Sequence, residues 1–426
     1  MLEATLSEWN PWWKQGAVPD ELKGRPRPKT TGGLMGSIEQ KEITVLTGVR
    51  RAGKSTLMFQ MIDDLLGKGI KPENILFVNM DDENLAKVGL SDIESAHVQA
   101  VAPKGRRYVF YDEVHGKSGW ERWLKTQYDL KKDVKYVVTG SSSSLLKGEY
   151  STLLTGRNLT FDIYPFSFRE YLDFCDIDVP EHPFTKDDGD LMVHQLARYM
   201  EFGGFPEVHT REGEMTKRNL LKQYFHDIIY RDIVFRYNVN GRKVTDLAVH
   251  LMTNIANPFT MRGLRGATGL SYDVIRDYLA YFEDAYLFRI VPYHSYSSKP
   301  LVAEQRPRKM YCIDTGLRNA VVSGHTKDTG HLAENVVACE LHKRSSVVNY
   351  WKGRNEVDFI FTDGSKKMNA MNVSYTDDVP EREVEGMVEF RETFGNKVND
   401  CVILTRNVAK EENEISFQPL WKWLLG

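Results

Sequence analysis

A chain of 426 residues with 41% hydrophobic and 27% charged content is long enough for two or three domains with full cores, and its composition excludes a disordered chain. Its 56 basic and 59 acidic residues nearly cancel to a net charge of −3, which excludes a global nucleic-acid coat and requires any such surface to be local. Cys175, Cys312, Cys339 and Cys401 lie far apart without C-x-x-C spacing, which argues against a zinc site or disulfide framework. The N-terminal "MLEATLSEWNPWWKQG" lacks the basic flank and apolar core of a secretory signal, and no apolar run reaches the roughly 18 residues of a membrane span, so a cytoplasmic protein with no membrane contact is expected.

Residues 1–40 read as an irregular arm, with Trp9, Trp12 and Trp13 followed by the Pro/Gly/Lys-rich "LKGRPRPKTTGG". The tryptophans are expected to pack the arm on the next domain, where a loop would touch an adenine. Over residues 41–175 short apolar strands ("EITVLTG", "ENILFVNMD", "RRYVFYDEV", "VKYVVTGSS", "LTFDIYPFS") alternate with helical patterns, which predicts an α/β domain with a parallel sheet. Residues 176–255 turn helical and read as a lid or linker. Residues 256–325 pair short helices with a basic, strand-rich stretch, and residues 326–426 read helix, three strands, helix, strand.

Gly48, Val49, Arg50, Arg51, Ala52, Gly53, Lys54 and Ser55 satisfy G-x-x-x-x-G-K-[ST] after a strand and before a helix. In such a loop glycines let the backbone curl so that successive N–H groups face phosphate oxygens at a helix N-terminus. Lys54 would reach the β and γ phosphates, Ser55 would bind Mg²⁺, and Thr56 stands close behind. The strand "RRYVFYDEVH" ends in Asp112 and Glu113, carboxylates costly to bury without a cation. Asp112 would hold Mg²⁺ through its water shell and Glu113 would polarise the attacking water. A further strand ends in Thr139 and Ser141 to Ser144, hydroxyls placed either to sense the γ-phosphate or to cap a helix.

The words "WNPWW", "LTGVRRAGKSTLM", "YDEVH", "TGSSSSLL", "LLTGRNLTFDIYPFSFREYL", "FGGFPEV", "YRDIVFRY", "YCIDTGL" and "EVDFIF" cover nearly the whole length. With them the chain resembles an AAA+ family ATPase of archaea and anaerobic bacteria, fused to a C-terminal region long labelled a domain of unknown function. The resemblance implies ATP and Mg²⁺ as cofactors. It also implies that Arg157, in "LLTGR", is placed to reach a neighbouring subunit's γ-phosphate in a homo-oligomer; a surface arginine capping a helix is the alternative.

In residues 256–325, Thr260 and Ser271 are N-cap types, Gly269 supplies a turn, and Val274, Tyr278, Leu279 and Phe282 form a stripe, which predicts a winged helix-turn-helix. Between positions 256 and 312, eight basic residues (Arg262, Arg265, Arg276, Arg289, Lys299, Arg306, Arg308, Lys309) face five acidic ones, a surplus suited to DNA phosphates. Asp273, Asp277, Glu283 and Asp284 along the second helix suit a protein partner instead. The last segment resembles a restriction-endonuclease core of the PD-(D/E)xK type, with Glu334 and Asp358 at the metal-binding positions. Asn372-Val373-Ser374 stands where E-x-K belongs, so the scaffold is expected to be inactive. Gly203-Gly204-Phe205-Pro206 reads as a turn, and Arg231 beside Asp232 as an ion pair or phosphate reporter.

The resulting expectation is an Mg²⁺-dependent ATPase, with Lys54, Glu113 and Arg157 in catalysis, that binds ATP and ADP and acts on DNA or a DNA-bound partner. A nucleotide-dependent switch that recruits protein is the alternative, and a live ATP-dependent endonuclease the less favoured third.

Overall fold

The computed structural model describes residues 2–141, 153–179, 185–294, 306–322, 328–344, 347–362, 364 and 367–426. They form two compact units, Met1–Tyr164 and Pro165–Gly426.

The first unit is built on five parallel strands, β1 (Ile43–Thr47), β2 (Ile75–Asn79), β3 (Arg107–Asp112), β4 (Val134–Gly140) and β5 (Asn158–Asp162), in the order β2-β3-β4-β1-β5. β1 is buried at every residue and β3 at all but its first, the burial of strands covered on both faces by helices.

The arm departs from the irregular reading. It folds into α1 (Leu2–Trp9), α2 (Trp12–Gln15), α3 (Asp20–Lys23) and α4 (Pro28–Ile38). Leu2, Leu6 and Trp9 form a helical stripe that packs into the core of the sheet, but Pro11 and Gly16 cut it into pieces too short for periodicity to reveal. Its polar groups close the open edge of β2. The Asn10 amide donates to the Phe77 carbonyl at 2.8 Å and accepts the Phe77 N–H at 2.6 Å, as a further strand would. The indoles of Trp12 and Trp13 donate to the Ile75 carbonyl, and Trp9 donates to Asp82. Arg27 reaches further, donating from Nη1 to the Ala52 carbonyl at 3.1 Å and from Nη2 to the Tyr164 carbonyl at 3.3 Å.

Further helices of the first unit are α5 (Lys54–Gly67), α6 (Leu90–Val101) and α7 (Trp120–Asp129). α6 carries His97, fully buried, with Nε2 2.9 Å from the Glu73 carbonyl and its ring stacked on Trp13 at 5.3 Å.

The second unit packs helices α8 (Phe168–Phe174), α9 (Lys186–Phe202), α10 (Glu214–Asp227) and α11 (Gly241–Thr253) with a helix pair, α12 (Met261–Thr268) and α13 (Tyr272–Asp284). A two-stranded antiparallel hairpin follows, β6 (Phe288–Val291) with β7 (Lys309–Cys312). Then come α14 (Thr315–Val321), α15 (Thr329–Arg344), and a six-stranded mixed sheet in the order β12-β13-β11-β10-β9-β8. Its strands are β8 (Val348–Lys352), β9 (Glu356–Phe361), β10 (Met368–Ser374), β11 (Val398–Thr405), β12 (Lys410–Glu412) and β13 (Ile415–Pro419), with α16 (Glu381–Phe394) and α17 (Leu420–Leu425). β12, β13 and α17 extend beyond the single strand expected after α16; β12 is only three exposed charged residues.

Segments that read separately share one core. Phe168, Leu196 and Tyr199 of the helical part pack with Val337 and Leu341 of α15, Phe359 of the sheet and Trp421 of α17. The Gly203-Gly204 turn is fixed within this unit. A Cβ on Gly203 would fall 2.0 Å from Asp314 Oδ1, and the buried Asp314 carboxylate accepts the Gly204 N–H at 2.6 Å and the Leu317 N–H at 2.9 Å. Burial pushes Asp314 up to about 6 despite those donors.

Burial holds His97 down at about 4 in the folded chain, against an ordinary value of 6.5. Between those values the unfolded chain binds a proton that the folded one refuses, so stability is complete above pH 6.5 and is lost as pH falls toward 4, by up to about 3 kcal/mol. Urea unfolding followed by tryptophan fluorescence at pH 7 and pH 4.5 should show a steeper acid loss for the wild type than for His97→Gln. Equal losses would exclude His97 as the cause.

Candidate nucleotide-binding site

The loop from Gly48 to Gly53 leaves the carboxyl end of β1 and enters α5. Gly48 adopts φ 142, and a Cβ there would lie 2.0 Å from the Ile163 carbonyl oxygen, so only glycine fits beneath the end of β5. Ile163 N–H donates to the Thr47 carbonyl at 2.7 Å, and Thr47 Oγ1 donates to Asp162 at 2.7 Å, fixing that approach. Gly53 (φ 93) and Arg51 (φ 70) complete the curl, while Val49 and Ala52 are buried and anchor it. Lys54 folds back over the loop and donates from Nζ to the carbonyls of Gly48 at 3.0 Å and Val49 at 3.1 Å. Thr56 turns to the arm, its methyl within 3.5 Å of where a Cβ on Gly24 would stand.

The carboxylates of β3 converge on the same place. Ser55 Oγ donates to Asp112 Oδ2 at 2.7 Å, and Thr139 Oγ1, at the end of β4, donates to Asp112 Oδ1 at 2.5 Å while accepting the Glu113 N–H at 2.9 Å. Asp112 is 2% exposed, and burial followed by the Glu113 charge raises its pKa against the pull of Ser55, Thr139 and Lys54. Burial pushes Glu113 up as well, but His115, Lys54 and Arg50 together outweigh it and hold Glu113 near 2. His115 Nδ1 lies 3.2 Å from Glu113 Oε2. Glu113 sits in the left-handed region at φ 52 and ψ 45, a strained conformation of the kind held at functional sites.

Thr139 thus joins the site through a carboxylate and a backbone amide. Ser141 is fully buried at the end of the same strand, and Ser142 to Ser144 lie outside the described residues. Arg157 is not near the loop of its own chain. Its carbonyl accepts the Ile43 N–H at the amino-terminal edge of the sheet, about 16 Å from the loop along a five-residue strand. Its guanidinium donates to Asp129 at 2.9 Å beside Tyr128, whose ring lines a cleft of about 810 Å³ at that edge together with Lys41, Arg106, Lys131 and Lys132.

In the second unit, Glu334 of α15 and Asp358 of β9 do come together, with a residue that the sequence reading assigned elsewhere. Lys309 of β7, 1% exposed, places Nζ 2.8 Å from Glu334 Oε1, 2.7 Å from Glu356 Oε1 and 2.9 Å from Asp358 Oδ1. Lys309 is therefore removed from the basic surplus reckoned toward DNA. Tyr311 donates to Glu334, and Val373 N–H donates to Asp358. Asn372 accepts the Asp358 N–H at 3.0 Å and donates to Glu383 at 2.8 Å. On the π-helical segment Ile228–Val234, Arg231 is exposed and Asp232 buried.

A curled glycine loop between a central parallel strand and a helix, with a lysine, a hydroxyl and a buried carboxylate at one point, defines a P-loop nucleotide-binding domain. A family model described as an AAA domain matches residues 40–172, and two domains of unknown function, DUF8612 and DUF4143, match 193–328 and 329–423. The chain is 30% identical over 403 residues to the uncharacterized protein MJ1544 of Methanocaldococcus jannaschii, covering 90% of this chain and 88% of that one. It is 28% identical over 367 residues to an uncharacterized protein of Haemophilus influenzae, covering 83% and 87%. The chain belongs to the family of MJ1544. Among solved structures, the Walker-type ATPase paby2304 of Pyrococcus abyssi is similar at a TM-score of 0.46 and 13% identity, covering 70% of this chain and 95% of that chain. Among the described residues no helix is long and apolar enough to cross a membrane.

Thr139→Val removes a charge-assisted bond to Asp112 and the acceptor of the Glu113 N–H. It should lower the stability of the first unit by about 2 kcal/mol, read as a shift of the urea midpoint. An unshifted midpoint would mean that the Thr139 hydroxyl does not support the carboxylates.

Proposed function

We propose that the protein is a Mg²⁺-dependent ATPase whose nucleotide cycle is coupled to DNA or a DNA-bound partner. The observation that carries the ATPase reading is the convergence of Lys54, Ser55, Asp112 and Glu113 at the mouth of the Gly48–Ser55 loop. Ser55 Oγ and the Asp112 carboxylate are hard oxygen donors 2.7 Å apart, and as a set they fit Mg²⁺. Bound there, the ion would neutralise charge on the β and γ phosphates.

The remaining roles belong to the chain. Backbone N–H groups at the start of α5 take the phosphate oxygens, and the Lys54 ammonium exchanges its loop carbonyls for the β and γ phosphates. Glu113 stays ionised at every physiological pH and orients a water toward the γ-phosphate. With a pKa near 2 it is a weak base, so its contribution is alignment more than proton removal. Arg157 faces the opposite edge of the sheet and enters this reading only in trans, toward a neighbouring copy whose nucleotide would displace Asp129 as its partner.

The DNA reading is supported by α12 and α13, joined through Gly269 (φ 71) and followed by the β6-β7 hairpin, the layout of a winged helix. Thr260 and Ser271 cap the two helices, and Ile275, Tyr278, Leu279 and Phe282 bury one face of α13. Arg262 and Arg265 are exposed. One observation favours the protein-recruiting switch: Arg276 is paired with Asp273 at 3.1 Å and Lys309 is internal, so the exposed basic field is thinner than the sequence surplus.

ATP turnover with and without duplex DNA separates the two. A DNA-coupled enzyme should be stimulated at about 50 mM salt and lose most of that stimulation by about 200 mM. Glu113→Gln should cut turnover on the order of 10²-fold or more while ATP still binds. Turnover indifferent to DNA at low salt would exclude the DNA reading, and full turnover by Glu113→Gln would exclude Glu113.

A further inference from the structure

Three carboxylates from two elements, Glu334 on α15 and Glu356 and Asp358 on β9, are gathered around a single point inside the second unit. In metal-dependent phosphodiester chemistry such a cluster is held together by a divalent ion, because anions this close repel unless a cation lies between them. Here the point is filled by an ammonium. Lys309 Nζ lies 2.7 to 2.9 Å from three carboxylate oxygens, donating hydrogen bonds to Glu334 and Asp358 and pairing its charge with Glu356. The lysine arrives from outside the six-stranded sheet, on β7 of the hairpin that follows α13, with its Nζ over the Tyr350 ring at 5.6 Å.

The rest of the pocket is arranged for this cation. Tyr311, two residues along β7 and fully buried, donates to the same Glu334 oxygen that Lys309 holds. Asp358 spends its other oxygen on the Val373 N–H. Asn372 is fully buried and commits both ends of its amide, to the Asp358 N–H and to Glu383. Its amide is neutral and its oxygen already accepts an N–H, so it adds no anionic ligand to complete a metal shell.

We propose that Lys309 is the resident cation of this carboxylate pocket, a tethered replacement for a divalent metal, which keeps the C-terminal α/β domain free of metal and clamps the hairpin to it. The assignment stands apart from the nucleotide site and survives or fails independently of it. It explains how a nuclease-like carboxylate arrangement persists without E-x-K: the acids are retained to bind the lysine.

The test is a Mn²⁺ titration of the nucleotide-free full chain by electron paramagnetic resonance. Wild type and Asp358→Asn should bind Mn²⁺ identically, because neither admits the ion to the pocket. Lys309→Ala should gain one ion, bound at least about 100-fold more tightly than any Mn²⁺ taken up by the wild type, and the double variant Lys309→Ala/Asp358→Asn should lose it. Two results overturn the proposal: a wild-type site that Asp358→Asn abolishes, or a folded Lys309→Ala that gains no ion. If Lys309→Ala fails to fold, the comparison of wild type with Asp358→Asn still decides.

Discussion

The nucleotide site depends on one close approach, that of Gly48 to the backbone of Ile163. Any side chain at position 48 would meet the carbonyl oxygen at 2.0 Å, and the φ of 142 is closed to other residues in any case. That contact exists because β5 lies directly beside β1, with β4 on the other side. The same strand order sets β3 one strand further out. Thr139, at the end of the intervening β4, then lies between the loop and the β3 acids and bonds to both Asp112 and the amide of Glu113. A parallel sheet in this order, a glycine at the exit of its central strand and a hydroxyl on the strand between are thus parts of one arrangement.

The loop was legible in the sequence because its chemistry is local: eight consecutive residues supply the curl, the ammonium and the hydroxyl. Asp112 and Glu113 were legible because acids at the end of an apolar strand call for a cation. What could not be read lies between residues remote in sequence. Arg27 braces the Ala52 carbonyl from a stretch that reads as a Pro/Gly loop, and Asn10 imitates a strand from the middle of three tryptophans. Neither residue carries a local pattern. The helices of the arm escape sequence reading for a different reason: α2 and α3 are four residues each, and α4 (Pro28–Ile38) opens on a Pro/Lys/Thr/Gly stretch that reads as a loop.

In the second unit, Glu334 and Asp358 were placed by pattern, and the structure unites them. Their partner was counted among surface basic residues because burial of a lysine is invisible without the fold. The local sequence carries no signal of it: "RKMYC" puts Lys309 at the head of an apolar strand, where a solvated lysine and a buried one look alike. The two lysines at the centres of the two units behave in opposite ways. Lys54 donates to two neutral loop carbonyls, whereas Lys309 is held by three carboxylates and has nothing to gain by leaving.

The Gly48–Ser55 loop is expected to grip a triphosphate through its amides and the Lys54 ammonium. Isothermal titration of the folded chain with magnesium ATP measures this directly. Saturable binding to one site per chain, weakened at least about 100-fold by Lys54→Met, is the predicted result. No heat from the wild type, or equal affinity in the two proteins, would contradict it.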